Sequence, residues 1–253
     1  HRVDRRQRQM CIRDRNSDMG LWRPIDFFKE IGGGLLFLQP YESEKIPVIF
    51  IHGLSGNPTE FAEIIQALDK TKFQPWVLYY PSGIPLDLVS NYLLTTLIKL
   101  HRRHSFSELQ LISHSMGGLI ARDFLQKQNQ VGTQFNSSLY VTINSPMYGL
   151  DNAARGVKES PIVIASWRDL ATNSAYIQSL HQQTIPVETP YHLFFSYLPD
   201  EDGDGNVPLR SQLSVTLQKE AKRIYATQGS HTGVLEDKVF IQRLLQVMSS
   251  PDK

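Results

Sequence analysis

Short apolar runs alternate along the chain with stretches whose apolar residues recur at helical spacing. The runs are rich in β-branched and aromatic residues, which predicts strands buried on both faces of a parallel sheet. A strand, helix, strand, helix order predicts an α/β fold with helices on both faces of that sheet. The predicted strands are 35–38, 48–51, 73–80, 109–112, 139–143, 191–198 and 223–227. The predicted helices begin after Asn57 and Ser115, and at Leu86 and Val234.

The pattern changes between residues 146 and 190, where Gly, Ala and Asn are mixed with aromatic and aliphatic residues. We expect this segment to be a helical cap inserted over the carboxyl edge of the sheet. No repeat and no linker interrupts residues 19–253, so the sequence predicts a single domain that carries this cap.

Residues 1–18 do not fit that domain. Residues 1–14 resemble translated sequencing adapter, and we expect residues 1–18 to be a non-native tail. The tail holds six arginines and three aspartates, so removing its +3 from the formal charge of +1 leaves about −2. The remaining chain therefore has no basic excess for nucleic acid. The chain does not start with Met, so the natural N-terminus and the compartment, cytoplasmic or exported, stay open.

Composition excludes several classes of protein. With 41% hydrophobic and 20% charged residues the chain matches a water-soluble globular protein. No apolar run approaches the roughly 20 residues that cross a bilayer. A single cysteine, Cys11, excludes an internal disulfide framework and a cysteine-based metal site.

The sequence Ser113-His114-Ser115-Met116-Gly117 comes where an apolar strand ends and a helical pattern begins. A strand-to-helix elbow exposes a serine hydroxyl and aims the free N–H groups of the new helix at the same place. Ser115 is therefore the candidate nucleophile. Ser113 stands where glycine is commonest in such elbows, and we expect it to affect packing rather than chemistry. By itself the pentapeptide is equally compatible with an ordinary strand-to-helix turn.

His52-Gly53-Leu54 follows the strand at 48–51. Glycine lets the backbone turn, so the Leu54 N–H could form an oxyanion hole with the Met116 N–H. The alternative is that Gly53 simply ends the strand.

An acidic turn, residues 200–208, follows the strand at 191–198. It opens like a calcium-binding EF-hand loop, but position twelve is Ser211 where a bidentate glutamate is needed. A carboxylate that orients a histidine is the better interpretation, and we choose Asp204 over Asp202.

His231 lies in a loop between the last strand and the last helix, which suits a general base. We expect His114 to point away from its neighbour Ser115 and His52 to support its own loop. His192 begins a strand, and His101 and His104 are expected to be exposed.

The chain order Ser115, Asp204, His231, with Val-Ile-Phe-Ile-His-Gly-Leu, Ser-His-Ser-Met-Gly-Gly, Asp-Gly-Asn-Val-Pro and Gly-Ser-His, resembles the α/β-hydrolase superfamily. More narrowly it resembles bacterial esterases and lipases and the GPI inositol-deacylase-like group. The resemblance implies the α/β-hydrolase fold with an eight-stranded, mostly parallel sheet. It makes Ser115 the nucleophile, Asp204 the acid, His231 the base, and Leu54 and Met116 the oxyanion donors. Cap segments around Met147, Tyr148 and Trp167 are similar to lipase caps, so these three are candidate substrate-binding residues.

We therefore expect a serine hydrolase that cleaves carboxylic esters, lipid-like or medium-chain, without metal or cofactor. An amidase, thioesterase or acyltransferase on the same fold stays open, as does a non-catalytic binding module. The expected partner is a small ester or lipid, with peripheral contact to a lipid surface as an option and no nucleic acid. Oligomeric state is not predicted.

Overall fold

The fold is built on one seven-stranded sheet in a computed structural model that describes residues 15–251. The strand order is β1-β3-β2-β4-β5-β6-β7. β1 runs antiparallel to β3, and every other neighbouring pair is parallel. The strands are β1 (Gly34–Phe37), β2 (Ile46–Ile51), β3 (Phe73–Tyr79), β4 (Glu108–His114), β5 (Asn136–Ile143), β6 (Tyr191–Tyr197) and β7 (Arg223–Gln228).

Helices cover both faces of the sheet. Residues 15–22 are helical, and two 3-10 helices, Pro58–Phe61 and Gly233–Glu236, precede α-helices. The α-helices are α1 (Pro24–Glu30), α2 (Ala62–Ala67), α3 (Leu86–His104), α4 (Gly117–Val131), α5 (Asp151–Glu159), α6 (Ala165–Leu170), α7 (Ala175–Gln182), α8 (Leu209–Gln212), α9 (Val215–Glu220) and α10 (Lys238–Ser249).

Two apolar cores, one on each face, bury the sheet. On one face α3, α4 and the cap helices contribute residues such as Leu93, Phe124 and Leu180. On the other face α2 and α10 contribute residues such as Ile64 and Leu244. The continuous apolar runs of the sequence are the strands buried between these cores, so the predicted α/β architecture, a mostly parallel sheet with helices on both faces, is confirmed.

Three details differ from the sequence prediction. Within residues 15–251 the sheet has seven strands rather than eight, because residues 15–22 and 24–30 are helical and add no strand at that edge. The expected final helix is interrupted at Asp237, whose carboxylate accepts from the Phe240 N–H and starts α10 anew. Residues 209–220 form the short helices α8 and α9, which the pattern did not predict.

Residues 146–190 contain the short helices α5, α6 and α7. Arg122 on α4 is fully buried and pairs with Glu220 on α9 at 2.6 Å. Its Nε atom also donates to the Leu180 carbonyl at 2.9 Å, and this bond fastens the end of residues 146–190 to α4. The helical residues 15–22 run across the expected boundary between tail and domain at residue 18. Within the described chain, no helix has the length and apolar character needed to span a membrane.

Candidate functional site

Ser115 lies on a sharp turn between β4 and α4. Its φ is +52°, a left-handed conformation that is unusual for a residue other than glycine. Its N–H donates to the Ile143 carbonyl at 2.8 Å. Gly117 makes the turn sterically feasible, because a Cβ there would lie 2.2 Å from the backbone oxygen of Ile51. The elbow geometry expected from the sequence is therefore present at Ser115.

Ser113, the unusual residue of the motif, is fully buried on β4. Its hydroxyl donates to the Val141 carbonyl on β5 at 2.6 Å. The Ser113 side chain therefore faces the neighbouring strand, and its hydrogen bond helps to pack β4 against β5.

The loop after β2 passes directly beside the elbow. A Cβ on Gly53 would lie 2.7 Å from the Ser115 Cβ, so only glycine allows this approach. The loop is held by a hydrogen bond from the Ser55 N–H to the Ser82 hydroxyl at 3.0 Å. Leu54 lines the same cleft as Ser115, and Met116 directly precedes α4. This placement is compatible with oxyanion donors at Leu54 and Met116, which remain a prediction.

Asp204 and His231 form a buried pair. Asp204 Oδ2 lies 2.7 Å from His231 Nδ1. Asp204 Oδ1 accepts from the N–H groups of Asn206 at 2.9 Å and Val207 at 2.7 Å, and the His231 N–H donates to the Asp204 carbonyl at 2.9 Å. Asp202 is exposed and bonds Arg210 at 3.0 Å instead. The structure thus brings Asp204, and not Asp202, to the histidine.

The environment of His231 suits a proton acceptor. Burial lowers the pKa of His231, and the hydrogen bond to Asp204 only partly opposes this effect. The imidazole is therefore neutral near pH 7. With the Nδ1 proton directed at the carboxylate, Nε2 carries the free lone pair.

Ser115 and His231 line one cleft of about 620 Å³. Leu54, Ala62 and Leu235 give it some apolar surface, but most of its side chains are polar. The polar and acidic lining residues include Ser17, Asp18, Asn57, Thr59, Glu60, Glu63, Asn206, Thr232 and Glu236.

A larger depression of about 830 Å³ lies elsewhere, lined in part by His192, Arg223 and Arg243. His192 and Arg223 stand at the amino ends of β6 and β7, the edge opposite Ser115. Since ligands of parallel sheets bind at the carboxyl ends of the strands, we place the candidate site at Ser115.

Met147, Tyr148 and Trp167, the three candidate substrate residues, are not among the described residues that line this cleft. Met147 is fully buried in the apolar core. The Tyr148 ring stacks on His181 at 4.2 Å, and the Trp167 ring packs edge-on against Trp22 at 5.7 Å.

Across residues 15–251 no group of three or more histidine, cysteine or acidic residues is arranged to hold a metal ion. The Asp204 carboxylate of the EF-hand-like turn is engaged by His231 and two backbone N–H groups.

His114 was expected to point away from its neighbour Ser115, and its hydrogen bonds are with Glu60 and with the backbone of His231. Its Nδ1 lies 3.0 Å from Glu60 Oε1, and its Nε2 lies 3.0 Å from the His231 carbonyl oxygen. Glu60 and His114 are 54 positions apart, and no local pattern in the sequence indicates this contact.

Two other histidines also differ from expectation. His101 is half-buried, with Nδ1 2.8 Å from the Phe106 carbonyl oxygen, and His104 packs against Tyr41. Each is covered by aromatic residues from a neighbouring segment, which the helical pattern could not reveal.

Residues 85–233 match the family model described as alpha/beta hydrolase of unknown function (DUF915). This range contains Ser115, Asp204 and His231 and more than half of the chain. The chain belongs to this family. No curated protein matches this chain significantly.

Solved structures with the same fold include three bacterial and fungal proteins. The mature Bacillus licheniformis lipase BlEst2 is 14% identical with a TM-score of 0.68, over 85% of this chain and 97% of its own. The product of the Listeria innocua gene lin2722 is 18% identical with a TM-score of 0.63, and the match covers 81% of this chain and 94% of the Listeria protein. Aspergillus fumigatus lipase B is 15% identical with a TM-score of 0.63, and the match covers 85% of this chain and 56% of the lipase. At these identities the similarity establishes the fold, and the family and its neighbours indicate a hydrolase.

Proposed function

We propose that this α/β hydrolase cleaves carboxylic esters through an acyl-enzyme intermediate on Ser115. The observation that carries the proposal is the convergence of an elbow serine with a buried Asp204–His231 pair on one cleft. A hydroxyl that lines a cleft, a neutral imidazole and a carboxylate that orients it are the groups that acyl transfer requires.

In the proposed reaction, His231 Nε2 takes the Ser115 proton as the hydroxyl oxygen attacks the ester carbonyl. The N–H groups of Leu54 and Met116 stabilise the oxyanion that forms. His231 then gives its proton to the leaving alcohol, and the acyl group remains on Ser115. A water molecule, deprotonated by His231, attacks the acyl carbonyl. The bond to Ser115 breaks as His231 gives that proton to the serine oxygen, which releases the acid and regenerates the enzyme. Asp204 holds the imidazole in the required tautomer throughout.

The substrate class within esters is the less constrained part of the proposal. The polar lining of the cleft favours a substrate with a polar group on that side. A lipid-like or medium-chain acyl group held by Met147, Tyr148 and Trp167, and contact with a lipid surface, remain predictions from the sequence.

A fluorophosphonate probe tests the nucleophile directly. We expect it to label Ser115 in the folded wild-type protein and to leave Ser115→Ala unlabelled. Absence of labelling in the wild-type protein would favour a non-catalytic binding module.

Kinetics on nitrophenyl esters of increasing acyl length test the reaction. We expect Ser115→Ala to lower kcat on the order of 10⁶-fold, as the loss of a triad serine does. Near-native turnover by that variant would overturn the assignment. Faster cleavage of matched amides or thioesters would point to an amidase or a thioesterase on the same residues.

A further inference from the structure

Two ionisable side chains, Glu60 and His114, lie behind His231 and have no part in the reaction as proposed above. The His114 side chain is 2% exposed and the Glu60 side chain 13%. His114 contacts Glu60 through Nδ1 and the His231 carbonyl through Nε2, both at 3.0 Å. Buried ionisable groups are costly unless they are paired, so this arrangement requires a physical account.

The two contacts of His114 limit where protons can be. A carbonyl oxygen only accepts hydrogen bonds, so Nε2 must carry a proton. Nδ1 faces a carboxylate, so one further proton must lie between Nδ1 and Glu60. Burial by itself would lower the pKa of His114, but the charge of Glu60 and its hydrogen bond outweigh burial, so the pKa of His114 is raised. Burial would likewise raise the pKa of Glu60, but His114 lowers it. Both directions favour a charged imidazolium beside a charged carboxylate.

Glu60 also reaches the loop that carries Leu54. The backbone of Gly53 lies near enough to this carboxylate to help lower the pKa of Glu60. Its Oε2 lies so close beneath the loop that a Cβ on Gly56 would be 2.6 Å away. One side chain therefore contacts both the loop beside Ser115 and the residue that supports His231.

The backbone of His231 is fixed on both sides. Its carbonyl accepts from His114 Nε2 and also from Asn144 Nδ2 at 2.9 Å. Its N–H donates to the Asp204 carbonyl at 2.9 Å. The His114 and His231 rings are only 4.7 Å apart, so a charge on one ring affects the protonation of the other.

The charged and titratable groups around His114 come from four segments. They are Glu60 on the 3-10 helix, His52 after β2, Asp204 after β6 and His231 after β7. A positive charge on His114 lowers the pKa of His231, whereas the negative charge of Glu60 raises it. The effect of His114 is the larger of the two.

We propose that Glu60 and His114 form a buried ion pair that positions His231 and keeps its imidazole neutral at the pH at which it accepts a proton. The proposal rests on the proposed function, because it assigns His231 the role of base. His114 and Glu60 are positioning residues that act through His231 and the Gly53–Leu54 loop.

The Glu60→Gln variant removes the charges but preserves the hydrogen bonds. A glutamine amide can donate to Nδ1 of a neutral His114, whose Nε2 proton still reaches the His231 carbonyl. Without the nearby positive charge, the pKa of His231 rises. We expect the acid limb of kcat/KM against pH to move upward by about half to one pH unit.

Asn144→Gly is the matched control, since it removes a hydrogen bond to the same His231 carbonyl without removing a charge. Asn144 has φ +51°, which glycine adopts without strain. We expect a lower kcat in this variant with the acid limb unmoved. An acid limb that does not move in Glu60→Gln, or that moves equally in both variants, would overturn the ion pair.

Nuclear magnetic resonance of histidine side chains labelled with ¹⁵N provides a readout without substrate, with His114→Gln used to assign the His114 signals. We expect both His114 nitrogens to be protonated near pH 7 in the wild-type protein and one to have lost its proton at the same pH in Glu60→Gln. A neutral His114 in a wild-type protein whose Ser115 reacts with the fluorophosphonate would overturn the ion pair alone. An unreactive Ser115 would instead overturn the proposed function.

Discussion

The two halves of the candidate site are held in place by different forces. The elbow around Ser115 depends on close backbone contacts that only small residues permit, such as Gly117 against Ile51 and Gly53 against Ser115. The Asp204–His231 half depends on directed hydrogen bonds between loops. A steric constraint belongs to the fold itself, whereas a hydrogen bond to a functional side chain can be lost while the fold remains. Substitutions in the first half should therefore reduce stability, and those in the second should reduce rate.

The largest expected effect is on the hydrogen-bonded half. Asp204→Asn should lower kcat about 10⁴-fold with little loss of fold, because an amide favours the wrong tautomer of His231. Nitrophenyl ester kinetics and circular dichroism would measure the two quantities. Asp202→Asn is the control, and we expect it to retain nearly full activity because Asp202 bonds only the exposed Arg210. A larger loss in Asp202→Asn than in Asp204→Asn would reverse the assignment of the acid.

The next effect is on the steric half. Gly117→Ala should lower the free energy of unfolding by about 3 kcal/mol, since its Cβ would meet a backbone oxygen that cannot move aside freely. Urea denaturation measures this loss. Gly229→Ala is the control, because the nearest atom to its Cβ would be Val234 at 3.8 Å, and we expect a change within about 0.5 kcal/mol. Equal stability of the two variants would refute the steric account.

The smallest expected effect joins the two halves of the comparison. Ser113 lies at the elbow but contributes a hydrogen bond to Val141. Ser113→Gly should cost about 1 to 2 kcal/mol of stability, from the lost hydrogen bond and the added chain entropy. We expect kcat/KM to stay within about twofold of the wild-type value, since the side chain points away from the cleft. A hundredfold loss would show that Ser113 has a chemical role.

The sequence predicted the sheet and the candidate triad because both depend on local signals. Buried parallel strands appear as continuous apolar runs, and the elbow needs small residues at fixed spacing around Ser115. The preference for Asp204 over Asp202 agrees with the observed pairing to His231, although both residues lie in the same acidic turn.

The sequence could not predict contacts between distant segments. Glu60 and His114 are 54 positions apart, and nothing in either local pattern indicates that they meet. The same holds for His101 and His104, which pattern alone placed at an exposed helix end but which neighbouring aromatic rings partly cover. Within the described residues the eighth strand is absent for a related reason, since residues 15–22 and 24–30 form helix rather than a further strand.

The pairing of β2 with β4 has a consequence for how the site responds to motion. Ile51 on β2 is paired with Ser113 on β4, and Gly53 and Ser115 each follow two positions later. The distance between Ser115 and the loop at Gly53 is therefore set by one pair of adjacent central strands. We expect movements of the cap or of the outer strands β1 and β7 to leave this distance unchanged. We expect motions of the cap and of the outer strands to control how substrate enters and leaves. The distance between Ser115 and the loop at Gly53 should stay constant over the temperature range in which the central sheet is intact.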